Sequence, residues 1–409
     1  MDLSVQLVGK RPFRAWPVKD FAYPLLLCPA VAGCTVVFFL LSCVPAFAQT
    51  TEDERLRLLH ADVARSLEQN GEVVRQLEGN VQFQQGAMLM ACQRAIQYVD
   101  AGRTEFIGRV KFDDGDRTLL AERVIYFEKT DVQEAYTNVR LRRGANSLRA
   151  EKVIYFRDER RAIAEKNVEL YNSERRMRVN GGRAEYDREV EYSRILDEPV
   201  LVELDSLGAE VMRIVGDTME VFEGGKRAKV TGNVRITRNQ TRAQCGEAEY
   251  FNDDDRLELQ VSPVAWHSQE EIRGKLISLF FLDEKLTRAH VAEQANVVSK
   301  VDTLANDDRV NTLSGGEITM FFADEKVKQV LVERTATSFY HVIEEGKEKG
   351  KNRAQGDRIT LHIAEGKIAR VLIESRPGKS TGKFVPPNMP MDEAAPKAAA
   401  SSKTGVRED

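Results

Sequence analysis

Two short motifs recur in step along most of this chain, and their period limits the fold more than any other feature. The first is Gly-Asn-Val or a close variant, at Gly79-Asn80-Val81, Gly108-Arg109-Val110, Thr137-Asn138-Val139 and Lys166-Asn167-Val168, each copy 29 residues after the last. The second is a small residue, two spacers, an apolar residue, one spacer and an aromatic or apolar residue. It reads Ala121-x-x-Val124-x-Tyr126, Ala150-x-x-Val153-x-Tyr155, Gly181-x-x-Ala184-x-Tyr186, Gly216-x-x-Met219-x-Val221 and Cys245-x-x-Ala248-x-Tyr250. Later copies start at Gly274, Gly315 and Gly356. A fixed period of this size marks a solenoid or array whose units bury their apolar faces on one another. The 409 residues are therefore read as one elongated body rather than two or three globular domains.

Between the motifs apolar and polar residues alternate, as in Val110-Lys111-Phe112, and polar clusters such as Asp113-Asp114-Gly115-Asp116 supply turns. Each 29-residue unit is then two strands joined by tight turns, and strands so joined run antiparallel. Small residues in mid-strand mark bends or close backbone approach. If every strand bends there, two sheets face each other through the bends. The predicted fold is all-β, an elongated antiparallel β-jellyroll or V-shaped trough built from repeats of two bent strands. Eight or nine units at two strands each would span about 80–90 Å.

The inward set on one strand is Val124 and Tyr126, Val153 and Tyr155, Ala184 and Tyr186, Ala248 and Tyr250, Ile277 and Leu279. On the other it is Val81 and Phe83, Val110 and Phe112, Val139 and Leu141, Val168 and Leu170, Val234 and Ile236, with Val264 and Trp266 continuing it. Flanking positions such as Arg123, Glu151, Lys152, Arg183 and Glu247 are charged, so one face is apolar and one wet. The period loosens after Tyr155, and extra residues near 205–212, 299–311 and 340–353 read as rim loops, the last of them mobile. Residues 52–69 fit either a short helix or a degenerate half-repeat that caps the array.

Residues 21–48 carry no charge, follow a basic stretch and end in Ala46-Phe47-Ala48. That pattern reads as a secretory signal, a retained N-terminal anchor, or a lipoprotein leader ending at Cys34 or Cys43, and all three export the remainder. The domains are then 1–48 as signal or anchor, 49–375 as the repeat body and 376–409 as a disordered tail rich in Pro, Ala, Ser and Lys. Of five cysteines only Cys92 and Cys245 follow the leader, both on the small position of the second motif and too many repeats apart to pair.

Functional chemistry is sparse. The net charge of −4 offers nothing to nucleic acid. The five histidines lack metal spacing, and nucleophile, phosphate-loop and zinc motifs are missing. Asp253-Asp254-Asp255 falls on a turn and reads as a solvated loop. No catalytic residue, metal ligand or cofactor is predicted, and a carbohydrate-active β-helix with a carboxylate pair is the enzyme alternative.

The alternation of Leu77-Glu78-Gly79-Asn80-Val81-Gln82-Phe83 and Thr231-Gly232-Asn233-Val234-Arg235-Ile236 with Gly181 to Tyr186 and Cys245 to Tyr250 resembles the OstA-like (organic solvent tolerance protein A-like) family. These are β-jellyroll modules of lipopolysaccharide transport, and the resemblance covers roughly residues 58–375. It implies a periplasmic protein whose trough, lined by the inward residues named above, shields the acyl chains of lipopolysaccharide or lipid A. It also implies edge-strand pairing with other jellyroll components of a transport bridge, between an inner-membrane exporter and an outer-membrane barrel. Burying acyl chains is worth about 0.8 kcal/mol per CH₂, so such a trough needs no energy-coupled chemistry of its own. The residues alone equally allow a dry interior, as in a structural envelope scaffold or adhesin without lipid cargo.

Overall fold

A computed structural model describes residues 56–301, 309–344, 347–387 and 389. The leader readings for 1–48 and the tail from 390 onward fall outside the described residues. Among those described, regular structure is strand, apart from one turn of 3-10 helix at Glu223–Gly225. All 26 strands join one antiparallel sheet in which chain neighbours are sheet neighbours. Six pairs of consecutive strands are the two halves of one bent strand, as with Arg57–His60 and Val63–Gln69, which lie end to end along Glu72–Gln85. The 26 strands thus make 20 rungs, and at about 4.8 Å each the stack is about 90 Å long.

Every rung bends near its middle. On alternate rungs the bend is a bulge formed by two consecutive left-handed residues. Gly79 and Asn80, at φ 74° and 45°, are inserted between the pairs Glu78↔Arg94 and Val81↔Cys92. Glycine is at home in that conformation, and the Asn80 side chain donates to Asp62 on the neighbouring bend, as Asn233 donates to Asp217. The first motif is therefore a bend signal followed by a buried valine.

The second motif lies directly across from it. Cys92, Ala121, Ala150, Gly181 and Cys245 pair with Val81, Val110, Val139, Val168 and Val234. A Cβ on Gly274 would sit 2.4 Å from Val291 Cγ1, so the tight corner demands a small residue.

The bend folds each rung into two arms, and the arms pack face to face. Phe83 on one arm meets Phe106 on the other edge to face at 5.6 Å, and Phe106 meets Phe112 at 5.1 Å. Inward residues of both arms join one continuous apolar core from Val81 to Leu361. Outside, ion pairs cross between rungs: Arg123 to Glu105 at 2.7 Å, Arg183 to Glu165 at 3.3 Å and Lys229 to Glu247 at 2.7 Å. The last two are worth at most about 1 kcal/mol each at such exposure, whereas Glu105 beneath Arg123 is buried.

Four expectations change. Residues 57–69 are strand, which makes the capping half-repeat the right alternative. Residues 340–344 and 347–353 are not a rim loop: they belong to Lys326–Glu344 and Lys347–Ala364, which pair as neighbouring strands. The body does not end at 375, because Thr381–Val385 pairs with residues 351–355 as the outer half of the last rung. Finally, Val264 and Trp266 do not point inward. The inward residue is Ala265, paired with Ala243, while the Trp266 indole donates to Glu271. The left-handed pair there is Val261-Ser262, so buried Pro263 takes the place of the motif valine and the face assignment moves by one residue.

Candidate functional site

The interior between the arms is the largest chemically uniform feature of the protein. On the first arm one inward row runs Leu77, Ala95, Phe106, Val124, Ala135, Val153, Ala164, Ala184, Ile195. It continues through Met219, Val230, Ala248, Leu259 and Ile277 and reaches Ile373 without a polar residue. On the second arm a facing row runs Phe83, Met90, Phe112, Leu119, Leu141, Leu148, Leu170, Val179, Leu201, Ile214, Ile236. Val81, Val110, Val139, Val168 and Val234 form the floor at the bend, each at most 2% exposed.

The twenty residues read as inward therefore sort into three places. Fifteen are buried in the floor and the two rows or beside them, including Phe83, Phe112, Val124, Val153, Ala184, Ile236, Ala248, Tyr250, Ile277 and Leu279. Tyr126, Leu141, Tyr155 and Leu170 are half-buried. Tyr186 is 37% exposed, at the slit where the arm tips face each other. Tyr126, Tyr155, Tyr186, Tyr250 and Leu279 make a second row of the first arm, nearer that slit.

The slit is not uniform along its length, and sequence reasoning missed why. Near the middle, polar side chains tie the arm tips together. Arg238, 1% exposed, reaches across to Asp255 with contacts of 2.5 and 2.9 Å. Tyr250 donates its hydroxyl to the same carboxylate at 3.2 Å, and the guanidinium lies 4.2 Å over the Phe281 ring. Asn239 donates to the Glu284 carbonyl, Gln240 to Glu325, and the His267 ring sits 2.9 Å from the Glu325 carbonyl. Burial works against the Arg238 charge, but Asp255 outweighs it and holds the guanidinium protonated. Burial also pushes the Glu203 carboxyl up, with Arg238 at 3.7 Å opposing. This latch closes the slit there. Asp255, read from sequence as a solvated turn residue, is its anchor.

Other buried groups make the stability pH-dependent. Cys92 and Cys245 are free and buried, and burial pushes both thiols up to about 11. Burial, then Asp131, pushes the Tyr126 phenol up to about 12, and Glu134, then burial, does the same for Tyr136. Burial raises Tyr250 as well, with Glu203 and Asp255 adding to it. Folded values above the unfolded ones mean that the native state holds these protons longer. Their contribution is complete below the ordinary values of 9.0 and 10.0 and is lost as pH rises through the folded values. These thiols and phenols are therefore expected to leave the urea midpoint unaffected up to pH 9.0 and to make it fall steadily beyond it. A midpoint unchanged at pH 11 would contradict the burial of these side chains.

Among the described residues no group of three or more His, Cys, Asp or Glu is placed to hold a metal ion. No helix of the described residues is long and apolar enough to cross a membrane. The site offers a long apolar interior with a polar rim.

Residues 53–163 match the family model described as OstA-like protein. Residues 133–285 match that of the LptA/(LptD N-terminal domain) LPS transport protein. No curated protein matches the chain. Among solved structures it is similar to LptH of Pseudomonas aeruginosa, described as the LptA-homologous periplasmic component of the lipopolysaccharide transport device. Identity is 18%, with 36% of this chain and 93% of that chain covered at a TM-score of 0.27.

Proposed function

We propose, from the match of residues 53–163 to the OstA-like family and of residues 133–285 to the LptA/(LptD N-terminal domain) LPS transport family, that this chain is a periplasmic carrier of lipopolysaccharide or lipid A. Acyl chains lie between the arms, and the polar head protrudes through the slit. The observation that carries this reading is the pair of facing apolar rows, unbroken over nearly every rung. A packed scaffold needs a core, but not one whose leucines stand half-buried at a slit, as Leu119, Leu141, Leu148 and Leu170 do. Each CH₂ drawn from water into such an interior is stabilised by about 0.8 kcal/mol.

The two ends of the sheet support a bridging role. Among the described residues the first rung pairs only with Glu72–Gln85 and the last only with Lys347–Ala364. Leu58, Leu59, Leu67 and Phe384 on these end rungs are 44–56% exposed. Such open edges are templates for strand addition, so further jellyrolls would extend the trough at either end. An inner-membrane exporter and an outer-membrane barrel are the outer members of that assembly.

The test is lipid retention. The chain is purified without detergent from a lipopolysaccharide-producing host, and bound lipid is measured by mass spectrometry. Val153→Asp places a charge among the acyl chains and is expected to cut retained lipid by about tenfold or more, since burying an unpaired charge costs several kcal/mol. Glu151→Lys, at the bend on the outer face, is expected to stay within about twofold. Equal losses from the two changes would sink the trough assignment. A chain that binds no lipopolysaccharide at all would return the interior to the scaffold reading.

A further inference from the structure

Two independent observations single out one stretch of the slit. The first is exposure. In the second-arm row Leu119, Leu141, Leu148 and Leu170 are half-buried, whereas Phe83, Met90 and Phe112 before them and Leu201 and Ile214 after them are at most 6% exposed. The opposite arm changes at the same place: Tyr155 is half-buried and Tyr186 37% exposed, but Tyr250 and Leu279 are 2% and 1%. Short side chains at Ala135, Ala164 and Ala184 leave room there, where Ile195, Met219 and Val230 fill the same row further on.

The second observation is charge. Residues 117–188 hold 17 Lys and Arg against 12 Asp and Glu, a surplus of five positive charges in a chain whose net charge is −4. Three arginines of the surplus stand on the rim of the open stretch. Arg117 interacts with the Tyr155 hydroxyl on the facing arm, Arg143 lies near Tyr186, and Arg175 reaches the Gly225 carbonyl at 3.1 Å. Arg117 is also held by Asp114 at 2.6 Å, Arg143 by Asp116 at 2.8 Å and Arg175 by Asp253 at 3.6 Å. A guanidinium has five N–H donors in a fork, so one held by a carboxylate on one edge still offers the other edge to a second anion.

We propose that the rungs from Arg117–Phe127 to Met177–Asp187 form a seat for an anionic amphiphile. Its acyl chains lie between the half-buried leucines and the alanine row, and phosphate groups of its head dock on Arg117, Arg143 and Arg175. The Arg238–Asp255 latch bounds the seat downstream. The proposal depends on the lipid-transport reading and adds to it the place and the charge of the cargo.

The experiment uses size-matched photoreactive replacements in the full chain. Tyr155, Tyr186, Tyr250 or the outward-facing Tyr192 is replaced by p-benzoyl-phenylalanine. Each protein is irradiated with phosphatidylcholine vesicles carrying diphosphoryl lipid A, or carrying its dephosphorylated form. Labelling at positions 155 and 186 is expected to exceed that at 250 and 192 by about tenfold. It is expected to fall at least about threefold with the dephosphorylated lipid, and equally with Arg117→Gln combined with Arg143→Gln. Labelling at 250 as strong as at 155 would overturn the seat while leaving lipid binding intact. Labelling indifferent to phosphate and to both arginines would overturn the headgroup assignment. No lipid labelling at any inward position would overturn the transport reading itself.

Discussion

Asp255→Ala is expected to destabilise the protein by about 3 kcal/mol, far more than an ordinary turn substitution. The change leaves Arg238, 1% exposed, without its bidentate partner. Glu203 at 3.7 Å and the Phe281 ring at 4.2 Å compensate only in part. A buried charge stripped of its partner retains its desolvation cost, whereas replacing the whole pair by apolar groups removes that cost with the attraction. Arg238→Met combined with Asp255→Leu should therefore cost less than Asp255→Ala alone. Urea denaturation of the three proteins measures both numbers. A loss below about 0.5 kcal/mol for Asp255→Ala, the range of featureless surface changes, would mean that the latch is not closed in solution.

Ile277→Asp should be more damaging still. Ile277 is fully buried in the first-arm row, between Leu259 and Val291. The change loses about 3 kcal/mol of burial and packing and adds several for an unpaired carboxyl, so a total of 5 kcal/mol or more is expected. Leu282→Asp, at a tip where the native side chain is 66% exposed, should be nearly neutral. Each rung hydrogen-bonds along the sheet only with its neighbours, and contacts across the slit reach a few rungs further, so the injury should stay regional. Limited proteolysis of the Ile277→Asp protein is expected to cut between residues 256 and 291 while the rungs before Phe251 stay resistant. Uniform digestion from end to end would show that the stack melts as one unit.

Much of this architecture was legible because backbone and core make the same demand at the same residues. Gly79-Asn80-Val81 shows the bend through its glycine, the tie to Asp62 through its asparagine and the floor through its valine. The small residue opposite is forced by the tight corner. Four later bends were illegible: Asp197-Glu198-Pro199, Val261-Ser262-Pro263, Glu293-Gln294-Ala295 and Arg334-Thr335-Ala336. Each has the same left-handed pair, but non-glycine residues tolerate that conformation at about 1–2 kcal/mol each, so the backbone requirement leaves no fixed letters. Proline and alanine then fill the floor, and Pro263 in place of valine is what misdirected Val264 and Trp266.

The latch and the open stretch lay beyond sequence reading for a different reason. Arg238 looks like any polar residue before a turn, and its burial depends on which tip lies across the slit. Leu141 and Ile236 occupy equivalent positions of the same row. Their different exposure follows from how close the arms stand at that rung, a distance no local pattern records.

The 29-residue period also decides how such a protein can be inherited. Loss of one rung would reverse the chain and exchange its wet and dry faces. Loss of two rungs keeps both the chain direction and the faces. Excision of residues 110–138 brings Val139 to the place of Val110, with every remaining hairpin in register and a body about 10 Å shorter. Duplication of the same segment lengthens it by as much. Descendants of this chain can thus be tailored to a wider or narrower gap in whole-hairpin steps, through a copying slip that needs no compensating mutation.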